Sequence, residues 1–283
     1  MISSLQMAQA SSRAPRSYGN HLFEARGLSH VGLIRVHNED SWLVEDSLGL
    51  AIVADGVGGH LDGALASRAA VECVASYLRR ASAMLFRTKF LKPSRPVAAG
   101  DSLRDTQERL VARAIGLTNR RLLAVNGAIG DSRQRRGSTI VGLWAPRGAG
   151  SPATVFHVGD SRMYLLRDGA LKSLTRDHSA YQQWTDTGKH GSPPPKSHIL
   201  QALGLSNVTP DIASLEPYAG DRYLLCSDGL TNTVQDDELK HMLAAGPDLD
   251  TAIQRLVSLG LARGASDNLT IVLCSFPSEI GGN

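Results

Sequence analysis

Cysteine is scarce in this 283-residue chain: there are three, Cys73, Cys226 and Cys274, with no CxxC spacing and no histidine cluster beside them. An odd set of thiols inside apolar stretches excludes a disulfide framework and a thiolate zinc site. It is what buried, reduced core residues in a reducing compartment look like. No run approaches the roughly 18 consecutive apolar residues that a membrane-spanning helix needs, and the N-terminal stretch lacks the apolar centre of a secretory signal. Cytoplasmic residence without membrane insertion is therefore the expectation. Charge of one sign is missing too. Against 30 Lys and Arg stand 27 Asp and Glu, a formal +3, so no global field argues for nucleic acid as a partner.

What is present is an ordinary globular composition, 42% apolar, enough for a sizeable core. Residues 1–20, rich in Ser, Ala and Arg, are expected to form a disordered tail, residues 21–277 one domain, and 278–283 a short C-terminal tail. Strands are predicted over Leu28–Ile34, Ser41–Glu45, Leu50–Ala54, Ser138–Trp144, Ala153–Val158, Met163–Arg167, Ala170–Leu174, Arg222–Cys226 and Leu269–Phe276. Asp168-Gly169, between two of them, is the pair a type I′ hairpin prefers, because both central positions need positive φ. Helical spacing runs over Ala64–Arg80, over Leu103–Val125 behind Asp101 and Ser102, and over Thr251–Arg263 after Asp250. Met84–Gly100, with Arg87, Lys89, Lys92 and Arg95, is expected to be a basic loop. Helices and strands do not alternate as in a doubly wound sheet, so the class is α+β.

Four aspartates share one context, a short apolar strand joined to turn-forming residues: Asp55 in AIVADGVGG, Asp160 in VFHVGDSR, Asp228 in LLCSDGL and Asp267 in GASDNLTIVL. For any one of them a plain Asp-Gly turn is an equal reading. A carboxylate at a buried strand end is costly unless paired or bound to a cation, and four of them with few neighbouring bases suggest a shared cation. Gly56, Gly58 and Gly59 permit close backbone approach, which leaves the Gly56 carbonyl free to act as a hard oxygen ligand. All-oxygen ligation points to Mg²⁺ or Mn²⁺ rather than zinc.

In order, the chain carries RVHNED (Arg35–Asp40), VADGVGG (Val53–Gly59), GST (Gly137–Thr139), VGDSR (Val158–Arg162), DH (Asp177–His178), LQALG (Leu200–Gly204), SDG (Ser227–Gly229) and DN (Asp267–Asn268). This ordered set resembles the PP2C family of metal-dependent protein serine/threonine phosphatases, in its bacterial form, across nearly the whole chain. The resemblance implies an αββα sandwich of two mainly antiparallel sheets flanked by helices. It implies that Asp55 bridges two Mn²⁺ or Mg²⁺ ions, that the Gly56 carbonyl completes one, and that Asp228 and Asp267 hold the other. Asp160 joins Asp228 at a third, weaker ion. Glu39 and Asp40 orient metal-bound waters, and Arg35 grips the substrate phosphate. The implied reaction is hydrolysis of phosphoserine and phosphothreonine in proteins by a metal-bridging hydroxide. The implied setting is a monomer opposing a bacterial Ser/Thr kinase, or acting on its targets, in signalling or secretion control.

One position departs from the animal members of the family, where a histidine follows the first DG: here it is Val57. His60 is displaced by two glycines, and His178 is expected to close a hydrogen-bond network. Ser179–Ser197 matches the family's variable flap, with an ordinary surface loop as the alternative. Two other readings remain at this stage, a catalytically silent PP2C-like binding or sensing domain, and phosphopeptide docking on Arg133, Arg135 and Arg136.

Overall fold

The structure is a computed structural model that describes residues 23–58, 61–87, 102–129, 136–146, 151–245 and 248–277. In chain order its elements are β1 (Glu24–His30), β2 (Ser41–Glu45), β3 (Leu50–Ala54), β4 (Gly56–Val57), α1 (Leu61–Arg87), α2 (Leu103–Ile129), β5 (Gly137–Ser138), β6 (Ile140–Trp144), β7 (Ala153–Val158), β8 (Arg162–Arg167) and β9 (Ala170–Ser173). There follow α3 (Ala180–Asp186), β10 (Asp211–Leu215), β11 (Arg222–Cys226), α4 (Asp228–Thr231), α5 (Asp236–Ala245), α6 (Leu249–Ala262) and β12 (Leu269–Ser275).

Alternation along the central strands dictates the layering. In β3, Leu50, Ile52 and Ala54 point one way and Ala51 and Val53 the other, yet all five are buried. β6 is buried throughout, and β11 and β12 at every residue but Arg222 and Ser275. A strand with no solvent face needs cover on both sides. One side of each sheet meets the other sheet, in a core that includes Val53, Val141, Met163, Tyr223, Leu225 and Val272. The far side of the sheet ordered β10-β7-β6-β3-β2 packs on α1 and α2 through Ala70, Val74, Leu78 and Ile115. The far side of the sheet ordered β1-β12-β11-β8-β9 packs on α5 and α6 through Leu239, Leu243, Ile253 and Leu256. Every strand pair is antiparallel. The αββα sandwich is therefore observed.

The β8–β9 hairpin turns on Asp168 (φ 50°) and Gly169 (φ 74°), as the Asp-Gly pair requires. Other boundaries differ from the sequence expectation. The first strand covers Glu24–His30, not Leu28–Ile34: Gly32 turns the chain at φ 83°, Leu33 N–H donates to Ala265 O, and Leu33, Ile34 and Val36 lie exposed. Ser138–Trp144 is interrupted at Thr139, whose N–H leaves the ladder for Asp55 O. α1 continues through Met84–Arg87, taking the start of the expected loop; the rest of that loop lies outside the described residues. So do residues 1–20, His60, Arg133, Arg135 and the 278–283 tail.

α6 is capped by Asp248, which accepts from Thr251 N–H, rather than by Asp250. At α2, Ser102 and Asp105 cap one another's main-chain N–H. Cys73 is half-buried, whereas Cys226 and Cys274 are fully buried. α3, α4, α5, β4 and β10 had no counterpart in the sequence reading; α3 begins inside the Ser179–Ser197 stretch, capped by Ser179. Among the described residues no helix is long and apolar enough to cross a membrane.

The inter-sheet core gives a test of the layering. Leu225→Ala removes a fully buried side chain there and is expected to lower unfolding free energy in urea by about 2–5 kcal/mol. A loss under about 1 kcal/mol would show that this layer is not close-packed.

Candidate metal centre

Antiparallel pairing places five acidic positions at one rim. Asp40 precedes β2 and Asp55 follows β3, next to the Ser41↔Ala54 pair. Asp160 follows β7, Asp228 opens α4 just after β11, and Asp267 precedes β12, whose Ile271 pairs with Cys226. They are close enough to repel one another. Burial first, then the charges of Asp40, Asp228, Asp160 and Asp267, hold the Asp55 carboxyl well above the usual range. Burial pushes Asp40 up to about 7 against the pull of Thr270 and Ser227, with Asp228 and Asp267 adding to the rise. Asp160 is pushed up to about 7 by burial, Asp228 and Asp177. Asp228 is raised by burial and Asp267.

Neutral donors fix these acids. Asp40 Oδ2 accepts from Ser227 Oγ (2.8 Å) and Thr270 Oγ1 (2.6 Å). Asn38 Nδ2 donates to Ser29 Oγ, which lies 2.7 Å from Thr270 Oγ1, so a line of dipoles ends on Asp40. Asn268 clamps the RVHNED loop: its Oδ1 accepts from Glu39 N–H, and its Nδ2 donates to Val31 O and His37 O. Asp55 N–H donates to Thr139 Oγ1, itself 2.7 Å from Ser161 Oγ. Gly56 and Gly63 allow the start of α1 to press on this loop, since a Cβ on Gly56 would strike the Gly63 and Glu39 backbones and one on Gly63 the Glu39 carboxylate.

The free valences are what mark a cation site. Asp40 Oδ1, Asp160 Oδ1 and Asp228 Oδ1 are buried without a hydrogen-bond partner. Three bare carboxylate oxygens amid mutually repelling acids fit a hard divalent cation. Asp267 is engaged differently: Oδ2 accepts from Arg35 Nη2 at 2.8 Å and Oδ1 from Asn268 N–H. That contact raises the Arg35 pKa further, yet the side chain stays 48% exposed at the rim. Asp160 and Asp228 also line a cavity of about 420 Å³ whose other walls include Tyr181 and Lys196 of the Ser179–Ser197 stretch. Arg162 of VGDSR forks onto Asp177 of DH at 2.8 and 2.7 Å. Gly56 and Val57 form β4 opposite Gly137–Ser138, so Val57 places no proton-carrying group beside the DG turn. Burial raises the Cys226 thiol to about 12, which removes it as a nucleophile.

The structure brings Asp40, Asp55, Asp160, Asp228 and Asp267 together, with supports that the sequence does not announce. Ser227, Thr139, Ser161 and Asn268 sat inside the quoted motifs without an assigned role, and Asn38 within RVHNED. Thr270 sat in the strand after Asp267 without an assigned role, and Ser29 and Gly63 lay outside the quoted stretches and carried no local signal.

The raised carboxyls predict a pH signature. In metal-free protein, Asp40 and Asp160 go from 3.8 to about 7 on folding, so the fold holds extra protons between those values. Their favourable contribution is full below the lower value and is lost as pH rises through the upper one. A bound cation cancels that loss. The rise in Tm on adding Mn²⁺ is expected to be larger at about pH 8 than at about pH 5.5, as scanning calorimetry would read it; equal increments would contradict it.

The protein phosphatase 2C family model matches residues 27–274. The serine/threonine protein phosphatase PstP of Mycobacterium tuberculosis is 33% identical over 250 residues, covering 87% of this chain and 43% of its own length. The chain thus spans under half of that curated relative. Among solved structures, PppA, described as a key regulatory component of T6SS in Pseudomonas aeruginosa, superposes with a TM-score of 0.73 at 32% identity, over 90% of this chain and 99% of that one. The catalytic domain of PstP, in complex with two manganese ions, gives a TM-score of 0.72 at 31% identity, over 92% and 100%. With the motifs at one rim of the sandwich and the family match running through all of them, this chain belongs to the protein phosphatase 2C family.

Proposed function

We propose that this chain is a metal-dependent phosphatase that hydrolyses phosphoserine and phosphothreonine in proteins. The observation that carries the reading is the set of unpartnered, buried carboxylate oxygens of Asp40, Asp160 and Asp228, gathered with Asp55 and Asp267. In it, Asp55, the Gly56 carbonyl, Asp228 and Asp267 would hold two Mn²⁺ or Mg²⁺ ions, and Asp160 with Asp228 would take a third, weaker one. The PstP catalytic domain, described with two manganese ions, supports the two-ion part. When bound, such a pair supplies an acidified water as nucleophile and neutralises charge on the phosphate oxygens.

The chain's own residues do the rest. Arg35, exposed at the rim and tethered to Asp267, presents its guanidinium to the phosphate in fork geometry. Glu39, held through its main-chain N–H by Asn268, and Asp40, whose carboxylate is fixed by Ser227 and Thr270, are buried and orient water. Val57 offers no transferable proton, so protonation of the leaving serine or threonine oxygen falls to a bound water or to another group. Every group invoked comes from one chain, so a monomer suffices, with residues 21–277 as the catalytic unit. The proposed setting is cytoplasmic, opposing a Ser/Thr kinase in signalling or, by likeness to PppA, in secretion control. A silent binding domain would have lost carboxylates that this chain keeps.

Asp55→Asn, Asp228→Asn and Asp267→Asn are each expected to lower kcat on p-nitrophenyl phosphate by at least about a hundredfold while the metal-free fold stays intact, because each weakens cation binding. Full turnover by any of the three, saturated with Mn²⁺, would remove that residue from the site. EDTA should abolish activity and Mn²⁺ or Mg²⁺ restore it.

Arg35→Ala is expected to raise KM for a phosphopeptide more than it lowers kcat, since the guanidinium holds the ground-state phosphate. An unchanged KM would count against phosphate contact.

A further inference from the structure

Behind Asp160 the main chain is gripped by two histidines. His157, 1% exposed, has Nε2 2.7 Å from Gly159 O; a carbonyl only accepts, so that nitrogen carries the hydrogen. His178 N–H donates to the same oxygen at 2.7 Å. Gly159 N–H in turn donates to His178 Nδ1 at 3.2 Å, so Nδ1 is bare and His178 Nε2 holds the proton, facing Asp211 Oδ2 at 3.2 Å. Both main-chain polar groups of Gly159 are thereby held. The residue sits at φ 109°, and a Cβ would strike Thr139, the side chain that also takes Asp55 N–H. The next residue is Asp160, whose bare Oδ1 is buried at the cavity wall.

We propose that His157 and His178 are positioning residues for the Asp160 carboxylate: through the Gly159 main chain they aim it into the cavity, and so set how tightly the weakest-bound cation is held. The proposal rests on the reading of Asp160 given above. His157, His178 and Asp211 could be taken for a ligand triad in their own right, since one ligand atom from each lies within 4.8 Å of the others. The tautomers oppose this. His178 spends its lone pair on Gly159 N–H and turns a proton towards Asp211, which leaves it no electron pair on that side. Groups behind a ligand commonly control affinity when they fix its orientation.

The test is Mn²⁺ titration of the whole protein, with free Mn²⁺ read by electron paramagnetic resonance. An asparagine at 178 places its amide oxygen near the position of Nδ1, whereas a glutamine places its amide near Nε2. His178→Leu is expected to loosen the weakest-bound Mn²⁺ about tenfold while the tighter ions change by less than about twofold. His178→Asn should behave as wild type, and His178→Gln should follow the leucine variant. In an Asp160→Ala background, His178→Leu should change nothing further, because the effect travels through the missing carboxylate.

Rescue by glutamine rather than asparagine would overturn the proposal in favour of the Asp211 contact. A loss that persists without Asp160 would overturn it in favour of an ion held by the histidines themselves. An unchanged titration for Asp160→Ala alone would remove the third-ion reading and the proposal with it, leaving the two-ion reading standing. Should the leucine variant fail to fold, the asparagine and glutamine pair decides the matter.

Discussion

Everything at the working rim follows from the cost of holding carboxylates together out of water. Burial and mutual repulsion raise Asp40, Asp55, Asp160 and Asp228, so in the metal-free protein this cluster opposes folding at neutral pH rather than supporting it. The cost has to be carried elsewhere. Three apolar layers do so, with strands buried on both faces and helices on each outside, so that the acids ride on strand ends the core holds in place.

The supports around the acids are neutral almost throughout, and that choice has a physical reason. An arginine or lysine against each carboxylate would satisfy it and also cancel the charge that draws a cation. Hydroxyls and amides fix orientation while leaving the charge in place, as Ser227 and Thr270 do for Asp40, and as Asn268 does for the loop bearing Glu39. Among the described residues, Arg35 makes an ion pair with Asp267, one of these five acids. It stands at the exposed edge, where, in the function proposed, a tethered guanidinium would meet an incoming phosphate at small desolvation cost.

The parts of this design legible in sequence were those with a local signature. Ser41–Glu45, Leu50–Ala54, Ala153–Val158 and Arg222–Cys226 were bounded correctly because alternation or continuous burial is written into consecutive residues. Asp55, Asp160, Asp228 and Asp267 stood out because each joins such a strand to small or turn-forming residues. Leu28–Ile34 failed because its apolar residues Leu33 and Ile34 are exposed on a loop, a placement fixed by Gly32 and by Ala265 from the far end of the chain. Thr270, Ser29 and Gly63 escaped for a related reason: their roles are set by partners distant in sequence, and a lone Ser, Thr or Gly inside a strand or helix announces nothing locally.

The same distinction separates the two walls of the site. The sheet-borne wall is rigid, since Asp55, Asp160 and Asp228 are each anchored within a residue or two of a strand end. The opposite wall, from Ser179 to Ser197, carries only the short helix α3 and presents Tyr181 and Lys196 across the cavity. Its side chains are half-buried or exposed along most of its length, so few packing constraints fix their identity. Substitutions there can change what the cavity accepts without disturbing the acids, whereas a change at Thr139 or Gly159 reaches Asp55 and Asp160 together. The acids are thus tied to the core, and the side chains facing them across the cavity to the periphery, where loops tolerate change.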